Sequence, residues 1–261
     1  DYGAKDIKVL KGLDGVRKRP AMYIGDTGKK GLHHLIFEVL DNSVDEAMAG
    51  HANYIKVVFN EDYSVSISDN GRGIPIDIHE EFKKPAVEVI LENLHSGGKF
   101  DKKSYRISGG LHGVGLSVVN ALTKYLKVDI KRNGKCYKQT YSRGKKVSEP
   151  EITYCNSHQT GTEIWFYPDD EIFDFNPEEP IFNFSTVANR MRELAFLTPG
   201  TKFEIIDEIS EKREVFLYEG GLKEFIKHLN QEKQPLHDDI IYINDLNFGD
   251  NGTIVIQQPN F

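Results

Sequence analysis

The stretch GLHHLIFEVLDNSVDEAMAG, residues 31–50, decides the fold. Its apolar residues recur at helical spacing, and Gly31 and Gly50 punctuate its ends. Advancing about 100° per residue separates two faces. Leu32, Leu35, Ile36, Phe37, Val39, Leu40, Val44 and Ala47 fill the broad one, which predicts a deeply packed helix. His34, Glu38, Asp41, Asn42 and Asp45 share a narrow polar stripe. His34, Glu38 and Asn42 follow at i, i+4 and i+8, so they stack along one edge. Carboxylates on a packed helix need water, a metal or a ligand opposite them, because unpaired buried charge is costly. The bland alternative is a solvated helix face.

The chain has 261 residues, enough for one large or two smaller domains. It holds no apolar run long enough to span a membrane, and no signal peptide opens it. It begins at Asp1 rather than Met. A net charge of −7 argues against a DNA-coating surface on this segment. Cys136 and Cys155 are too few for a disulfide framework; they read as inert thiols, and a reducing cytoplasm fits. Without a secretory signal, the acceptor patterns at Asn183 and Asn251 read as chance.

Outward from the helix, Tyr54–Phe59 and Ser64–Ser68 read as an antiparallel hairpin. Residues 85–94 read as a second helix. Residues 95–115 are crowded with glycine and charge, a loop long enough to suggest a functional lid. Residues 116–126 resume as helix. Two strands between 128 and 141 turn about Asn133-Gly134, a strong hairpin signal. Further strands are expected at 163–167, 202–206, 214–218, 240–243 and 253–257. Helices are expected at 185–196, capped by Ser185, and at 221–230. The order predicts an α+β fold: a two-layer sandwich with a mixed, mainly antiparallel sheet and helices on one face.

Asp69 sits at a strand end and is followed by Gly71 and Gly73. A carboxylate there can accept from an exocyclic amine, while glycine lets a flat ring approach the backbone. Gly109-Gly-Leu-His-Gly-Val-Gly115 leads straight into a helix, so consecutive N–H groups and the positive dipole end face an anion. The pattern is neither a Walker A loop nor the GxGxxG fingerprint. Gly97-Gly98-Lys99 adds a cation, and Thr162 a hydroxyl at a strand start. Singly these are turns; together they supply what a nucleotide triphosphate site requires.

Glu38 with Asn42, Asp69-Asn-Gly-Arg-Gly73, Gly110-Leu-His-Gly-Val-Gly115 and Thr160-Gly-Thr162 resemble the four motifs of the gyrase, Hsp90, histidine kinase and MutL ATPase superfamily, whose fold is the Bergerat type. KVLKGLDGVRKRPAMYIGD, LHSGGKF and SGGLHGVGLSVVNAL are similar to bacterial type II topoisomerases. His33-His34, Phe37–Asn42 and Tyr218-Glu-Gly-Gly221 favour the gyrase B proteins over their topoisomerase IV counterpart, which stays the alternative.

The resemblance implies ATP and Mg²⁺ as ligands and implies roles. Glu38 would be the general base, held by His34, and Asn42 the metal ligand. Asp69 would accept the adenine amine beside Thr162, with Gly73 making room and Ile74 and Pro75 walling the ring. Lys99 and the backbone of Leu111, His112, Gly113, Val114 and Gly115 would hold phosphates, with Tyr105 touching the base. Arg72 and Arg132 would rim the mouth, where aminocoumarin inhibitors of the family bind. Tyr2 would reach into a second protomer's site in an ATP-driven homodimer.

The resemblance further implies the gyrase A protein as partner in an A2B2 complex, and DNA bound through the full-length complex. It divides the chain into an ATPase domain (1–220) with a dimerisation arm (1–12) and an ATP lid (95–115), then the start of a transducer domain (221–261). It implies slow turnover without the rest of that domain. A histidine kinase would need an upstream phosphoacceptor helix, and an ATP-sensing chaperone would lack the SGGLHGVG lid. Beside these stand blander readings. His33 reads as a packed histidine and Trp165 as core. Arg17, Lys18 and Arg19 read as a solvated turn or a nucleic-acid patch. Asp41 and Asp45 only solvate the stripe or hold water near the metal.

Overall fold

A computed structural model of the chain describes residues 12–96, 114–156, 158–176, 178–231, 233, 237, 239–244 and 254–256. Two short helices, α1 (Leu13–Lys18) and α2 (Ala21–Ile24), lead into the long α3 (Lys29–Met48). There follow β1 (Tyr54–Phe59), β2 (Val65–Asp69), α4 (Ala86–Glu92), α5 (Gly115–Leu122), β3 (Thr123–Arg132), β4 (Lys135–Ser142), β5 (Lys145–Lys146), β6 (Glu151–Tyr154) and β7 (Gly161–Pro168). The chain continues through α6 (Phe184–Leu197), β8 (Lys202–Asp207), β9 (Lys212–Phe216) and α7 (Gly221–Leu229) to the hairpin β10 (Tyr242–Asn244) and β11 (Ile254–Ile256).

The main sheet runs β5-β4-β3-β7-β2-β1-β8-β9, with β6 alongside β4. Every pairing in it is antiparallel except β1 with β8, which run parallel from Tyr54↔Lys202 to Phe59↔Asp207. Leu126, Val128 and Ile130 of β3 are buried while Lys127 and Lys131 are exposed, so one sheet face carries the core and the other faces solvent. Helices cover the inner face. Leu32, Leu35, Ile36 and Leu40 of α3 are at most 1% exposed, packed with Ile55, Val57 and Ile67 of the sheet. Each such burial contributes roughly 1.5–3 kcal/mol, which is why α3 is immobilised along its length.

Several local readings are corrected. The helix begins at Lys29, two residues before Gly31. Gly31 is no boundary: a Cβ there would lie 1.9 Å from the Asp26 carbonyl oxygen. The Asp26 carboxylate instead closes the helix start, accepting from Gly28 N at 2.8 Å and Gly31 N at 3.1 Å. Helix α5 stops at Leu122 rather than 126, because Thr123 already pairs with Pro168 of β7. Asn183, not Ser185, caps α6, accepting from Thr186 N at 2.9 Å. Trp165 lies half-buried on the outer sheet face, with the Lys127 ammonium 4.2 Å from its ring. The Asn133-Gly134 hairpin stands as expected, with φ of 51° and 73°. Among the described residues, no helix is long and apolar enough to cross a membrane.

Arg17 belongs neither to a solvated turn nor to a nucleic-acid patch. Its guanidinium donates to the Ala121 carbonyl at 2.8 Å and meets Asp169 Oδ2 at 2.7 Å. Arg143 Nε reaches the same oxygen at 2.8 Å. Asp169 is 0% exposed, so the cluster locks α1 against the end of α5 and the loop after β7. Lys18 and Arg19 are exposed.

Burial alone would raise the Asp169 carboxyl, but donation from Arg143, Arg17 and Glu171 N outweighs it and holds the group below the usual carboxylate range. A carboxylate depressed in the folded state stabilises fully above its unfolded value near 4, and the contribution fades as pH falls through the folded value. Asp169→Asn is therefore expected to lower stability at pH 7 by about 3 kcal/mol and to flatten the acid limb. Denaturant unfolding of both proteins from pH 7 down to 3 checks this; parallel curves would refute it.

Candidate functional site

The site is built where α3 passes the end of β2, the start of β7 and the start of α5. Asp69 ends β2, and its register partner on β7 is Thr162. One carboxylate oxygen accepts from Ser43 Oγ of α3 at 2.9 Å, the other from Gly71 N at 2.9 Å. Burial pushes the Asp69 carboxyl up, and the nearby Glu46 charge adds to this. The Gly71, Ser43 and Thr162 donors pull the other way without cancelling it. A carboxylate in that state gains from a further donor, because a new hydrogen bond to the charged form offsets the burial.

The backbone after Asp69 folds tightly over β7. Gly73 has φ +77°, and a Cβ on it would lie 2.8 Å from Lys131 O and 3.1 Å from Gly161 O. Gly161 is tighter still: a Cβ there would sit 2.1 Å from Asp69 O. Two strand ends and a turn therefore meet where only glycine fits. Thr162 Oγ1 accepts from Ile74 N at 3.1 Å, which fixes the turn to the strand. Ile74 is half-buried against the core and Pro75 is exposed.

Two arginines brace this turn. Arg72 makes a two-pronged contact with Glu46, Nε to Oε2 at 3.0 Å and the terminal nitrogen to Oε1 at 2.7 Å. Its backbone N–H also donates to Glu46 Oε2 at 3.0 Å. Arg132, the last residue of β3, donates to Gly73 O at 2.7 Å and Arg72 O at 3.2 Å. Both guanidinium groups thus stand at the turn after Asp69.

The other end of the site is Glu38. His34 Nδ1 lies 3.4 Å from Glu38 Oε1, one helical turn away. On the opposite side a Cβ on Gly115 would fall 2.2 Å from Glu38 Oε2, so the carboxylate rests on the first residue of α5. Glu38 keeps 29% side-chain exposure and so remains in touch with water. Asn42 Nδ2 donates to the Glu38 carbonyl at 2.9 Å; of an asparagine's side-chain atoms only the oxygen is an acceptor. Glu38 and Ser43 are five residues apart on one helix, about 7–8 Å along its axis. Glu38 and Asp69 therefore flank a single short length of α3.

Of the residues expected from sequence, His34, Glu38, Asn42, Asp69, Arg72, Gly73, Ile74, Pro75, Val114, Gly115, Arg132 and Thr162 lie on the elements that converge here. Tyr2, Lys99, Tyr105, Leu111, His112 and Gly113 lie outside the described residues. Asp41 faces Arg190 of α6 at 3.6 Å, and Asp45 is 1% exposed, so neither simply solvates the stripe. His33 is packed as expected, its Nδ1 against Lys29 O at 2.5 Å and its Nε2 accepting from Asn183 N at 2.9 Å.

Two participants escaped the sequence reading, Ser43 and Glu46; Gly161 was quoted within the Thr160-Gly-Thr162 motif but given no role of its own. Glu46 continues the four-residue spacing of His34, Glu38 and Asn42, a signal that was there to be followed. Ser43 sits among apolar neighbours, where a lone hydroxyl looks like filler. Among the described residues, no group of three or more His, Cys, Asp or Glu side chains could hold a metal by itself.

Residues 27–172 match the model of the histidine kinase-, DNA gyrase B- and HSP90-like ATPases. The chain is 51% identical to the DNA gyrase B protein of Haloferax volcanii over 98% of its own length, and 53% identical to that of Thermotoga maritima over 93%. It spans 40% and 37% of those two proteins. A crystal structure of the 43K ATPase domain of Thermus thermophilus gyrase B, in complex with an aminocoumarin, superposes with a TM-score of 0.79 at 43% identity. That match covers 91% of this chain and 60% of the other. Its sheet-and-helix sandwich is the fold described above, and the chain is homologous to the N-terminal region of the DNA gyrase B proteins. With more than half of its length matched by the family model, the chain belongs to the histidine kinase-, DNA gyrase B- and HSP90-like ATPases.

Proposed function

We propose that this chain is the ATP-binding and ATP-hydrolysing module of a gyrase-type topoisomerase, which couples nucleotide-driven dimerisation to DNA strand passage and negative supercoiling. The observation that carries the reading is the pair of carboxylates on either side of one stretch of α3. Asp69 is boxed by Ser43, Gly71 and Thr162 beside a turn whose glycines let the backbone close tightly on β7. Glu38 lies against the first residue of α5.

In this reading Asp69 accepts the exocyclic amine of adenine, and the ring lies over Gly73 between Ile74 and Pro75. Thr162 keeps the turn closed, and Arg72 and Arg132 rim the opening. The N-terminal turn of α5, from Val114 and Gly115, offers backbone N–H groups to phosphate oxygens. Glu38 takes a proton from the attacking water as its oxygen bonds to the γ-phosphorus and the bond to the β–γ bridging oxygen breaks, releasing ADP; His34 holds the carboxylate in place. Among the described residues no acidic cluster could hold a metal by itself, so Asn42 Oδ1 would be the protein's ligand to a Mg²⁺ ion brought by the triphosphate. Bound so, the ion would neutralise phosphate charge.

Lys99, Tyr105, Leu111, His112 and Gly113 complete the phosphate and base contacts, and Tyr2 those of a second protomer. Residues from 221 onward begin a further domain. The gyrase A protein, DNA and aminocoumarin-type inhibitors are the partners that follow from the family.

Glu38→Gln keeps the shape and removes the base. Steady-state ATP hydrolysis is expected to drop about 10²–10⁴-fold, while the Kd for a non-hydrolysable ATP analogue stays within a few-fold of wild type. Turnover at the wild-type rate would exclude Glu38 as base.

Asp69→Asn exchanges an acceptor for a group that also presents N–H donors. Affinity for the same analogue is expected to fall by about 1.5–3 kcal/mol, the range for a bond to a charged group. Unchanged affinity by calorimetry would remove Asp69 from the adenine site.

The activity as a whole is tested with the full-length protein and its A-type partner on relaxed circular DNA. ATP-dependent negative supercoiling is expected. DNA that stays relaxed overturns the reading.

A further inference from the structure

We propose that Ser43 is a positioning residue for adenine recognition, its hydroxyl setting the orientation and charge of the Asp69 carboxylate and hence the preference of the site for an amine. The proposal rests on the nucleotide reading above and extends it to a residue of no assigned role.

Ser43 lies on the apolar side of α3, 3% exposed, between Leu40 at 0% and Val44 at 4%. A mid-helix serine commonly returns its hydroxyl to a carbonyl of its own preceding turn. Ser43 instead bonds across to β2, donating to Asp69 Oδ2 at 2.9 Å. Gly71 N holds Asp69 Oδ1 at 2.9 Å. Each carboxylate oxygen therefore has its own donor, from opposite sides, and the plane of the group is fixed. With the Thr162 N–H as third donor, the carboxylate still has acceptor capacity to offer a ligand, since two sp² oxygens have about four acceptor directions between them.

The charged groups around Asp69 make the hydroxyl matter more. Glu46, also on α3, opposes ionisation of Asp69, as burial does. Arg72, from the turn, is engaged with Glu46 through both prongs. From β7 comes only the Thr162 backbone N–H. Among the described residues no cation is bonded to Asp69, and the donors that favour its charged form are neutral ones. Ser43 is the one side chain among them. An amine from adenine bonds the ionised acceptor more strongly than the protonated one. A ring bearing a carbonyl at that position gains nothing from it.

The test is calorimetric titration of ADP and IDP, each with Mg²⁺, into wild type and Ser43→Ala from pH 5.5 to 8.5. Wild type should prefer ADP. In Ser43→Ala, ADP binding should weaken roughly three- to tenfold at pH 7.5, and its acid limb should move to higher pH. IDP binding should stay unchanged, which also reports that the variant is folded. The proposal is overturned if ADP binds the variant with wild-type affinity and pH profile, or if ADP and IDP lose affinity equally. Wild type that binds ADP no better than IDP would instead sink the adenine reading itself.

Discussion

A carboxylate at the end of β2, turned against a helix that the core will not let move, is the constraint from which the rest of the site follows. Asp69 is displaced upward in its titration by burial and by Glu46, and three neutral donors hold it. Those donors come from α3, from the turn after β2 and from β7, so the carboxylate can exist as built only if all three elements are in register. The sheet supplies that register. β2 lies between β1 and β7, and Asp69 pairs with Ile55 on one side and Thr162 on the other. Removing the side chain at Gly161 and Gly73 then lets the strand ends close to distances that any Cβ would forbid.

The same economy places the arginines. A turn wrapped this closely exposes carbonyl oxygens that β-pairing does not use. Arg132 at the end of β3 satisfies two of them, and Glu46 accepts from the Arg72 backbone as well as its side chain. Arg72 and Arg132 are thus structural in origin before they can be functional. Arg72 holds the turn's shape with both prongs of its guanidinium on Glu46, and Arg132 with one terminal nitrogen on two carbonyls.

Much of this was legible because it is local. The α3 stripe and the Asn133-Gly134 turn are each fixed by neighbours in sequence, through helical period or through positive φ. What was not legible depends on distant partners. The parallel pairing of β1 with β8 joins strands far apart in the chain, and nothing in Lys202–Asp207 announces it. Leu122 and Leu126 stand four apart, a spacing that suits a helix turn and also two steps along one strand face. Pairing of Thr123 and its successors with β7 decides for the strand. Arg17 in a basic run looks solvated until the fold delivers Asp169 to it. Ser43 could not be read because its partner is 26 residues away on another element.

Glu38 shows how the core and the site depend on each other. The base proposed at this position must be ionised and must reach water, so it cannot be as deeply buried as Asp69. It is partly exposed, yet it is not left to wander. His34 stands on one side, and on the other the missing side chain of Gly115 lets the carboxylate rest on the start of α5. That position holds only if α5 is fixed. Asn120, fully buried in α5, donates to the Leu91 carbonyl of α4 at 3.0 Å, and Arg17 holds the Ala121 carbonyl at the far end. Glu88 of α4 is tied in turn to Gln139 of β4 at 2.8 Å. The helices that flank residues 97–113 are therefore fastened to each other, to α1 and to the sheet. Gly115, the first residue of the α5 so fastened, is thereby held against the Glu38 carboxylate, and the proposed base takes its geometry from the same contacts that close the core.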